Sequence, residues 1–389
     1  MRLGVDACSW SNRRGFGRFT RELLGHMVAE AGVHELTLIV DRATAEEWDL
    51  PTGARLDVVR TTAQPSRAAS ARGARTPADI WRLARAAGRH AFDVFFFPAV
   101  YSFYPLLRRV PSVITFHDAI ADRHGDLVFP GPWPRLLWGA KSWMARRQAD
   151  RILTVSESAR DDIVRCFGDA AKVRVIAEAA GTQFQVSADA EGHRRVRARY
   201  GLPAEGPLLL HVGGLSPHKN LSRLLLALET LARPEHPWHL ALVGNDSTDG
   251  FHSEVAALRQ IVRRTPLHGR VTLTGEVPDA DLVLLYNAAT ALVLPSLAEG
   301  FGLPAVEAMA CGLPVAASRR GSLPEVLGPA AVYFDPLDAV SMASAVLAVL
   351  SDGALRERLR EAGLQRARTF SWRAAARATL GVCEELAHA

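Results

Sequence analysis

Residues 290–312 read TALVLPSLAEGFGLPAVEAMACG, and this segment decides the fold. It begins with a short apolar run of the kind that forms buried parallel strands, and it continues through a turn that contains Gly300 and Gly302. Pro304 then suits the first turn of a helix, because the N–H that proline lacks would have no partner there. A strand followed by a glycine turn and a helix N-terminus is the ligand-binding unit of open α/β sheets. The segment therefore predicts a ligand site at the carboxyl end of a parallel strand.

Two carboxylates frame this turn. Glu299 precedes it and Glu307 lies one helical turn inside the helix, so both side chains are predicted to face one cleft. The alternative is that Glu307 only complements the helix dipole and that Glu299 is a solvated loop acid. The ligand-site interpretation is favoured, because the complete glycine-proline frame accompanies both acids and because Gly302 permits close backbone approach to a ligand.

The same alternation of short apolar runs and longer helical patterns covers nearly the whole chain, which is typical of parallel α/β architecture. Strands of the first half are predicted at Arg2–Ala7, Leu36–Asp41, Leu56–Arg60, Asp93–Phe97, Ser112–His117, Arg151–Val155 and Lys172–Ile176. Strands of the second half are predicted at Leu208–Val212, His239–Val243, Val271–Thr274, Thr290–Leu294, Pro314–Ala317 and Ala331–Phe334. We therefore predict two Rossmann-like halves that face each other across a cleft.

The length of 389 residues exceeds what one hydrophobic core supports, since such cores stop growing near ~250–300 residues. Residues 1–180 and 181–370 are predicted to form an N-terminal and a C-terminal Rossmann-like domain. Residues 371–389 are predicted to form a helix that packs back on the N-terminal domain. The polar stretch 178–206 is the expected hinge, and the basic stretch Gln64–Pro77 is expected to be a mobile surface loop.

Composition and charge exclude several classes of protein. Hydrophobic residues make up 48% and charged residues 22% of the chain, which excludes a mainly disordered or fibrous protein. Asp6 interrupts the N-terminal apolar stretch, which argues against a signal peptide, and the longest apolar run is too short to span a membrane. The four cysteines lack paired or metal-ligand spacing, as expected for reduced thiols in a cytosolic protein. The net charge of +5 suits an anionic small ligand or a membrane surface, and is too diffuse to indicate nucleic acid.

The segment LLLHVGGLSPHKN, residues 208–220, repeats the order of strand, glycine turn and helix. Lys219 stands at the start of the helix, where its positive charge is unfavourable because it opposes the helix dipole. A nearby anion would compensate this charge. A diphosphate bound by Lys219 and by backbone N–H groups of the turn around Gly214 would supply that anion. The alternative is a solvated lysine on an ordinary loop between a strand and a helix.

Two weaker motifs follow strands of the first half. Gly15 and Gly17 half-match the dinucleotide fingerprint, with Asp41 at roughly the spacing of a ribose ligand, and we interpret them as a glycine loop that closes over a ligand. His117 and Asp118 end another strand. His117 is a candidate for a sugar contact or a proton relay, and the alternative is a satisfied structural histidine beside an Asp118 that caps the next turn.

Two further segments have competing interpretations. Asp279 and Asp281 look like the paired acids of metal-dependent sugar transferases, but they open an apolar helix, so helix capping is preferred and no metal site is predicted. The basic, tryptophan-containing segment 132–148 suits contact with an anionic bilayer. Lining of an acceptor cleft and plain packing are the alternatives, because part of this segment is expected to form a core face. That face would consist of Leu136, Leu137, Ala140 and Met144.

Together these motifs resemble the retaining glycosyltransferases of family 4, the glycosyl transferases group 1, which have the GT-B fold. The resemblance covers almost the whole chain and is strongest from Leu208 to about Trp372. Its most specific part is the E-x7-E motif, formed by Glu299-Gly-Phe-Gly-Leu-Pro and Glu307. The other matching segments are Gly15-Phe-Gly-Arg-Phe, His117-Asp118, Thr154-Val-Ser-Glu-Ser-Ala-Arg160 and Val212-Gly-Gly-Leu-Ser-Pro-His-Lys-Asn220.

The resemblance implies a metal-independent enzyme that moves a hexose-type sugar from a nucleoside-diphosphate sugar to an acceptor hydroxyl with retention. It implies no cofactor, since the nucleotide sugar is a substrate, and it assigns acceptor binding to the N-terminal domain. By matching position, Lys219 would neutralise the diphosphate and Glu307 would hold the ribose hydroxyls. Glu299 and the backbone amides of residues 301–303 would hold the donor sugar. His117 would approach it from the other domain, and the segment 15–17 would lie over the phosphate. The residues that match the family's donor site are Gly15, Gly17, Gly214, Lys219, Glu299, Phe301, Gly302, Leu303 and Glu307, and those that match its catalytic residues are His117, Lys219 and Glu299.

One position departs from the family pattern, because Leu215 replaces an arginine that many members have four residues before the lysine. Arg14 and Arg18 are candidates for the missing cation. The variant is similar to mannosyl- and rhamnosyl-type members, so GDP-, UDP- and dTDP-sugars stay open as donors. Sugar, lipid-linked and small-molecule acceptors stay open as well, in glycan or natural-product glycoside biosynthesis.

Other functions share these features. The alternatives are a NAD-dependent Rossmann oxidoreductase, a GT-B epimerase or phosphorylase, and a non-catalytic subunit that binds a nucleotide sugar. Nucleic acid is not an expected partner. The Ala- and Arg-rich composition suggests a bacterium with a GC-rich genome, so the expected location is the bacterial cytoplasm, with peripheral contact at the inner membrane face through residues 132–148 as an alternative.

Overall fold

The computed structural model describes residues 1–62, 75–233, 237–244 and 253–389. Most of the predicted surface loop Gln64–Pro77 lies outside these residues. The fold is α/β with two parallel sheets, as predicted, and each sheet belongs to its own compact unit. The first unit comprises Met1–Glu178 and Ser371–Ala389, and the described residues between Ala179 and Phe370 form the second. The chain therefore leaves the first unit after Glu178 and returns to it after Phe370.

Within the described residues, seven parallel strands form the first sheet in the order β3-β2-β1-β4-β5-β6-β7. They are β1 (Arg2–Asp6), β2 (Glu35–Asp41), β3 (Arg55–Val59), β4 (Val94–Phe97), β5 (Ser112–Thr115), β6 (Arg151–Thr154) and β7 (Val173–Val175). Every residue of β4 and β5 is buried, because helices cover both faces of a parallel sheet.

Six parallel strands form the second sheet, again counting only described residues, in the order β10-β9-β8-β11-β12-β13. They are β8 (Leu208–Val212), β9 (His239–Val243), β10 (Val271–Gly275), β11 (Ala291–Leu294), β12 (Val315–Ser318) and β13 (Ala331–Phe334). Each strand that the sequence predicted is present, with boundaries that differ by a few residues.

Helices connect the strands of both sheets. In the described part of the chain they are α1 (Gly15–Ala29), α2 (Arg42–Glu47), α3 (Pro77–Gly88), α4 (Ile120–Arg123), α5 (Gly125–Val128), α6 (Pro132–Gln148), α7 (Glu157–Phe167), α8 (Ala190–Arg199), α9 (Leu221–Glu229), α10 (Val255–Arg264), α11 (Asp279–Ala288), α12 (Leu303–Ala310), α13 (Leu323–Leu327), α14 (Ala339–Ser351), α15 (Gly353–Ala367) and α16 (Trp372–Ala387). Across those residues no single helix has the length and hydropathy to span a membrane, although the bent pair Ala339–Ser351 and Gly353–Ala387 passes that test by length and composition alone.

The strand order of each sheet reverses at one point, between β1 and β4 in the first sheet and between β8 and β11 in the second. Loops that follow the two strands at such a point leave in opposite directions, and open α/β sheets bind their ligands in the crevice between them. The glutamate motif follows β11 and the lysine motif follows β8. Both motifs therefore lie at the switch point of the second sheet.

The last helix, α16, packs on α1 within the first unit. The ring of Trp372 contacts the ring of Phe19 with centroids 5.7 Å apart. Arg377 Nε donates to Glu30 Oε2 at 2.6 Å. Residues from the end of the chain thus complete the unit that the first 178 residues begin.

Helix α6 exposes the residues that were expected to form its core face, so that expectation is wrong. The buried side of α6 consists of Trp138, Ser142 and Ala145. The two polar side chains on this buried side share one partner, Asp122. The Trp138 indole N–H donates to Asp122 Oδ2 at 3.0 Å, and the Ser142 hydroxyl donates to Asp122 Oδ1 at 3.4 Å. Since Asp122 satisfies this narrow polar side, the broader apolar side of α6 faces solvent. Its large exposed residues are Trp133, Leu136, Leu137, Trp143 and Met144.

Candidate functional site

The two motifs of the second half lie side by side at the switch point of the second sheet. A backbone hydrogen bond of 2.8 Å from Leu297 N to His218 O joins the loop after β11 to the loop after β8. The side-chain amide of Asn220 donates to the carbonyl of Pro295 at 3.1 Å, which joins the same loops a second time. Lys219 stands between His218 and Asn220, so these bonds fix its place beside the glutamate motif.

Lys219 and Glu299 form an ion pair. Lys219 Nζ lies 2.6 Å from Glu299 Oε1, and the Ser296 hydroxyl donates to the same oxygen at 2.7 Å. The two side chains are only 16% and 11% exposed, so neither is the solvated surface group of the alternative interpretation. The compensating anion of Lys219 was expected to be a ligand, whereas the chain itself supplies one in Glu299.

The environment of Glu299 favours its charged form. Burial opposes ionisation, but the charge and hydrogen bond of Lys219, together with the Ser296 hydroxyl, outweigh burial and lower the pKa of Glu299. The lysine ammonium is therefore already neutralised before any ligand binds. A bound diphosphate has to share Lys219 with this carboxylate or displace it.

Glu307 lies on α12 and is almost completely buried, with 1% of its surface exposed. The hydroxyl of Tyr286, on α11, donates to Glu307 Oε2 at 3.0 Å. Tyr286 in turn contacts the ring of Phe184 with centroids 5.8 Å apart. Tyr286 thus orients the Glu307 carboxylate. Tyr286 was not predicted from the sequence, because a tyrosine within an apolar helix looks like an ordinary core residue.

The turn before α12 requires glycine. Gly302 has a φ of +94°, and a Cβ at this position would lie 2.9 Å from a side chain of α13. The Ser322 hydroxyl donates to the carbonyl of Phe301 at 2.8 Å and so ties the turn to the start of α13. Helix α12 consequently begins at Leu303, with its first N–H groups at the carboxyl end of β11. A helix start of this kind can bind an anion or a sugar hydroxyl through backbone amides such as those of residues 301–303.

His211, on β8, is a neighbour of this site that sequence analysis missed. It is fully buried, its Nδ1 lies 3.0 Å from Val293 O, and burial lowers its pKa to about 4. His211 is therefore neutral at pH 7, with the proton on Nδ1 and a lone pair on Nε2. Within the described residues Nε2 has no hydrogen-bond partner, and it lies 3.5 Å from where a Cβ on Gly213 would be. Gly214 follows in the same turn, which leads to Lys219.

Leu215 packs in the hydrophobic core of the second unit. The position at which many family members have an arginine therefore brings no charge to the site. Arg14 and Arg18 belong to the first unit, where Arg14 immediately precedes α1 and Arg18 lies in its first turn. Their assignment as the replacing cation stays a prediction.

Gly15 and Gly17 lie in the first turn of α1, so the prediction that they form a loop is wrong. The reason is steric: a Cβ on Gly17 would lie 1.8 Å from Asn12 O, so only glycine lets the helix start so close to the preceding chain. Their contact with a donor phosphate stays a prediction. Asp41, the suggested ribose ligand, is fully buried and caps α2 by accepting from Thr44 N at 3.0 Å.

His117 lies two residues beyond β5 and is nearly buried. Its ring meets the ring of Phe19 edge-on, with centroids 4.6 Å apart and an interplanar angle of 88°. Its Nδ1 lies 3.6 Å from Glu178 Oε1. Asp118 accepts from Ile120 N at 2.9 Å, so it caps the turn that begins α4, as the alternative interpretation has it. The sequence contains no local signal that pairs His117 with Glu178.

The acids Asp279 and Asp281 lie in the first turn of α11, but they do not cap it as predicted. Pro278 occupies the N-cap position, where no side chain caps the helix. Asp281 instead pairs with Arg199 Nη1 and accepts from the Tyr200 hydroxyl, each at 2.8 Å. Among the residues that the structure describes, no group of three or more His, Cys, Asp or Glu side chains is arranged to hold a metal ion.

Comparison with known protein families gives two matches. The family described as Glycosyltransferase Family 4 matches residues 13–180, and the family described as Glycosyl transferases group 1 matches residues 193–366.

Curated proteins match a large part of the chain. It is 36% identical over 275 residues to O-antigen chain mannosyltransferase B of Escherichia coli, covering 70% of this chain and 69% of that protein. It is 33% identical to a glycogen synthase of Mycobacterium tuberculosis, covering 70% of this chain and 63% of that protein. It is also 33% identical to a D-inositol 3-phosphate glycosyltransferase of Kineococcus radiotolerans, covering 60% of this chain and 57% of that protein.

Solved structures share the fold over nearly the full length. The sucrose-phosphate synthase of Thermosynechococcus elongatus matches with a TM-score of 0.77 at 22% identity, covering 99% of each chain. The Anabaena protein HepE, solved in complex with UDP and glucose, matches with a TM-score of 0.74 at 17% identity, covering 98% of this chain and 99% of that one. At these identities the likeness establishes the fold alone, which is the GT-B fold.

Proposed function

The chain belongs to glycosyltransferase family 4, and we propose that it is a retaining, metal-independent hexosyltransferase whose donor is a GDP-, UDP- or dTDP-linked sugar. The family assignment makes it a glycosyltransferase that acts on nucleotide sugars. The observation that supports the finer proposal is the buried pair of Lys219 and Glu299, 2.6 Å apart at the switch point of the second sheet. The named relatives differ in sugar and in acceptor, so we propose a sugar, lipid-linked or small-molecule acceptor without choosing among them.

The second unit is proposed to bind the donor. Lys219 and the helix N-termini at this sheet edge would stabilise the charge that develops on the departing diphosphate. The backbone N–H groups of residues 301–303 would help to hold the donor sugar. Glu307, oriented by Tyr286, would accept hydrogen bonds from the ribose hydroxyls. Glu299 would accept from a hydroxyl of the donor sugar while it stays paired with Lys219.

The proposed reaction needs no dedicated carboxylate base. The site holds the donor and the acceptor hydroxyl together, and this positioning supplies much of the rate enhancement. The bond from the sugar to the diphosphate breaks as the acceptor oxygen attacks the same face. The departing phosphate oxygen takes the proton of the acceptor hydroxyl. His117 is proposed to contact the donor sugar.

Turnover is expected to survive a chelator, and the product is expected to keep the anomeric configuration of the donor. Thermal unfolding with GDP-, UDP- and dTDP-sugars identifies the donor first, since a ligand at 100 times its dissociation constant adds roughly 2.7 kcal/mol to stability. NMR of the product then assigns the linkage, with EDTA-treated enzyme and enzyme resupplied with Mg²⁺ assayed in parallel. An inverted linkage, or turnover that returns only with the metal, would contradict the proposal.

We also propose that α6 rests on the surface of an anionic bilayer. Trp133, Leu136 and Leu137 are 74%, 62% and 60% exposed and lie on one face at helical spacing. Arg135 and Arg147 are exposed on the same helix. An exposed apolar helix face on a helix that also exposes arginines can bind an anionic interface through buried apolar area and charge together.

The double substitution Leu136→Ser and Leu137→Ser is expected to reduce binding to phosphatidylglycerol vesicles by roughly tenfold or more, since each buried leucine contributes about 1.5–3 kcal/mol. Cosedimentation measures this, and phosphatidylcholine vesicles show the part that charge contributes. The matched control is Val340→Ser, an exposed apolar residue at the start of α14 in the second unit, which should leave binding unchanged. Equal vesicle binding by the double variant and the wild type would refute the contact.

A further inference from the structure

We propose that Glu178 is a positioning residue that fixes the tautomer and the orientation of His117. The inference rests on the proposed role of His117 in donor contact. Glu178 Oε1 lies 3.6 Å from His117 Nδ1, and the two residues are 5% and 8% exposed. Glu178 follows β7 and is the last residue of the first unit before the chain enters the second.

A buried carboxylate is costly unless a partner compensates it, and the imidazole of His117 is the partner that the structure places beside Glu178. An ionised carboxylate only accepts hydrogen bonds, so it favours the imidazole form with the proton on Nδ1. In the neutral ring Nε2 then bears the lone pair and becomes a hydrogen-bond acceptor. Glu178 therefore selects which nitrogen of His117 accepts a hydrogen bond from a ligand hydroxyl.

The other nitrogen of His117 is available for this role. Nε2 is buried and has no hydrogen-bond partner within the described part of the chain. Buried polar atoms rarely lack a hydrogen-bond partner, and a bound ligand that supplies the missing donor would explain this exception. A hydroxyl group of a bound sugar matches an acceptor nitrogen with a lone pair.

Aromatic contacts restrain the same ring from another side. Phe19 meets the imidazole edge-on at 4.6 Å, and Trp372 packs against Phe19 at 5.7 Å. Packing restricts the ring, but it does not distinguish Nδ1 from Nε2. The acceptor oxygen of Glu178 does distinguish them, because it favours a proton on the nitrogen that faces it, so the tautomer is the property that tests the proposal.

The first test measures the tautomer of His117 directly and needs no activity. The full-length protein is labelled with ¹⁵N-histidine and observed at about pH 8. The signals that disappear in His117→Asn belong to His117, and the couplings of each ring nitrogen to the two carbon-bound ring protons distinguish Nδ1 from Nε2. The wild type is expected to carry the proton on Nδ1. Glu178→Met removes the acceptor and should give a mixed tautomer, whereas Glu178→Gln keeps an acceptor oxygen and should retain the wild-type signals.

A second carboxylate–imidazole pair provides the matched control. Asp57 Oδ2 lies 2.7 Å from His90 Nε2 in the same unit. Asp57 is on β3, four strands from β5 in the sheet order and so roughly 19 Å away. Asp57→Asn should leave the signals of His117 and the turnover unchanged. An unchanged His117 tautomer in Glu178→Met, or a wild-type proton on Nε2, would overturn the proposal.

The second test is a double-mutant cycle in turnover. Glu178→Met is expected to lower kcat by about tenfold, the low end for loss of an orienting partner, while the affinity for nucleoside diphosphate stays unchanged. Glu178→Gln should restore most of the rate. In a His117→Asn background Glu178→Met should cause no further loss, since Glu178 acts through the histidine.

The outcomes separate this inference from the proposed function. If the losses from Glu178→Met and His117→Asn simply multiply, Glu178 does not act through His117 and the inference fails. If His117→Asn keeps wild-type turnover, the proposed donor contact of His117 fails, and the tautomer measurement still decides whether Glu178 orients the ring. A wild-type enzyme without turnover of any nucleotide sugar would refute the function and leave the NMR result standing.

Discussion

Glu307→Gln is expected to weaken the binding of nucleoside, nucleoside diphosphate and intact donor alike, by about 1.5–3 kcal/mol or roughly 10- to 150-fold. The loss follows because a charged group that we propose to accept from two ribose hydroxyls is replaced by a neutral one. The amide oxygen of glutamine still accepts from the Tyr286 hydroxyl, which bonds the carboxylate at 3.0 Å, so the packing around α12 should survive. Calorimetry with each of the three ligands measures the effect.

Two control variants show whether the effect is specific to the carboxylate. Glu325→Gln changes an exposed acid in the first turn of α13 and should leave all three affinities unchanged. Tyr286→Phe removes only the hydroxyl that orients Glu307, so its loss should be smaller than that of Glu307→Gln. Wild-type affinities in Glu307→Gln would show that the ribose is held elsewhere.

Lys219→Met is expected to weaken nucleoside diphosphate binding by about 1.5–3 kcal/mol, the range for a hydrogen bond to a charged group, while nucleoside affinity changes far less. This pattern differs from that of Glu307→Gln because Lys219 is proposed to contact the diphosphate and not the ribose. Lys172→Met, a change in the first unit, is the matched control. Equal losses for nucleoside and nucleoside diphosphate would show that Lys219 supports the loop and not the phosphate.

The ion pair adds a coupling that tests the arrangement further. In Lys219→Met the Glu299 carboxylate stays in place without its partner and repels the diphosphate. Adding Glu299→Gln removes that charge and should recover part of the lost affinity. Glu299→Gln alone should leave nucleoside diphosphate affinity nearly intact and lower turnover, by roughly tenfold or more, as expected for a contact that strengthens in the transition state.

The parts of the site that could be predicted are those with local signals. The strand, the glycine turn and the helix around Gly302 and Pro304 follow from backbone preferences within a dozen residues, and the helix begins at Leu303 beside the proline. The alternation of strands and helices likewise predicted both parallel sheets. Because the strands are parallel, the carboxyl ends of β8 and β11 lie at the same sheet edge. The lysine motif and the glutamate motif, 80 residues apart in sequence, are therefore in contact.

The parts that could not be predicted depend on side chains that meet only in the folded chain. The pairing of Lys219 with Glu299, the Tyr286 contact to Glu307 and the approach of Glu178 to His117 each join residues on different elements. Periodicity identifies an apolar face, but it does not say which face a neighbour covers. A single half-buried acid on α4, Asp122, partners Trp138 and Ser142 of α6, and the apolar face of α6 is then the one that points outward.

Helix α16 has a consequence for the order in which the protein folds during synthesis. The ribosome releases residues 372–387 only after the entire second unit has been translated. Until then the apolar surface of α1 that receives Trp372 stays uncovered, and Glu30 lacks its Arg377 partner. The first unit is therefore expected to finish folding last, although its synthesis begins first. A fragment that stops at Glu178 should aggregate, whereas a circular permutant that starts at Ser371 and joins Ala389 to Met1 should fold its first unit early.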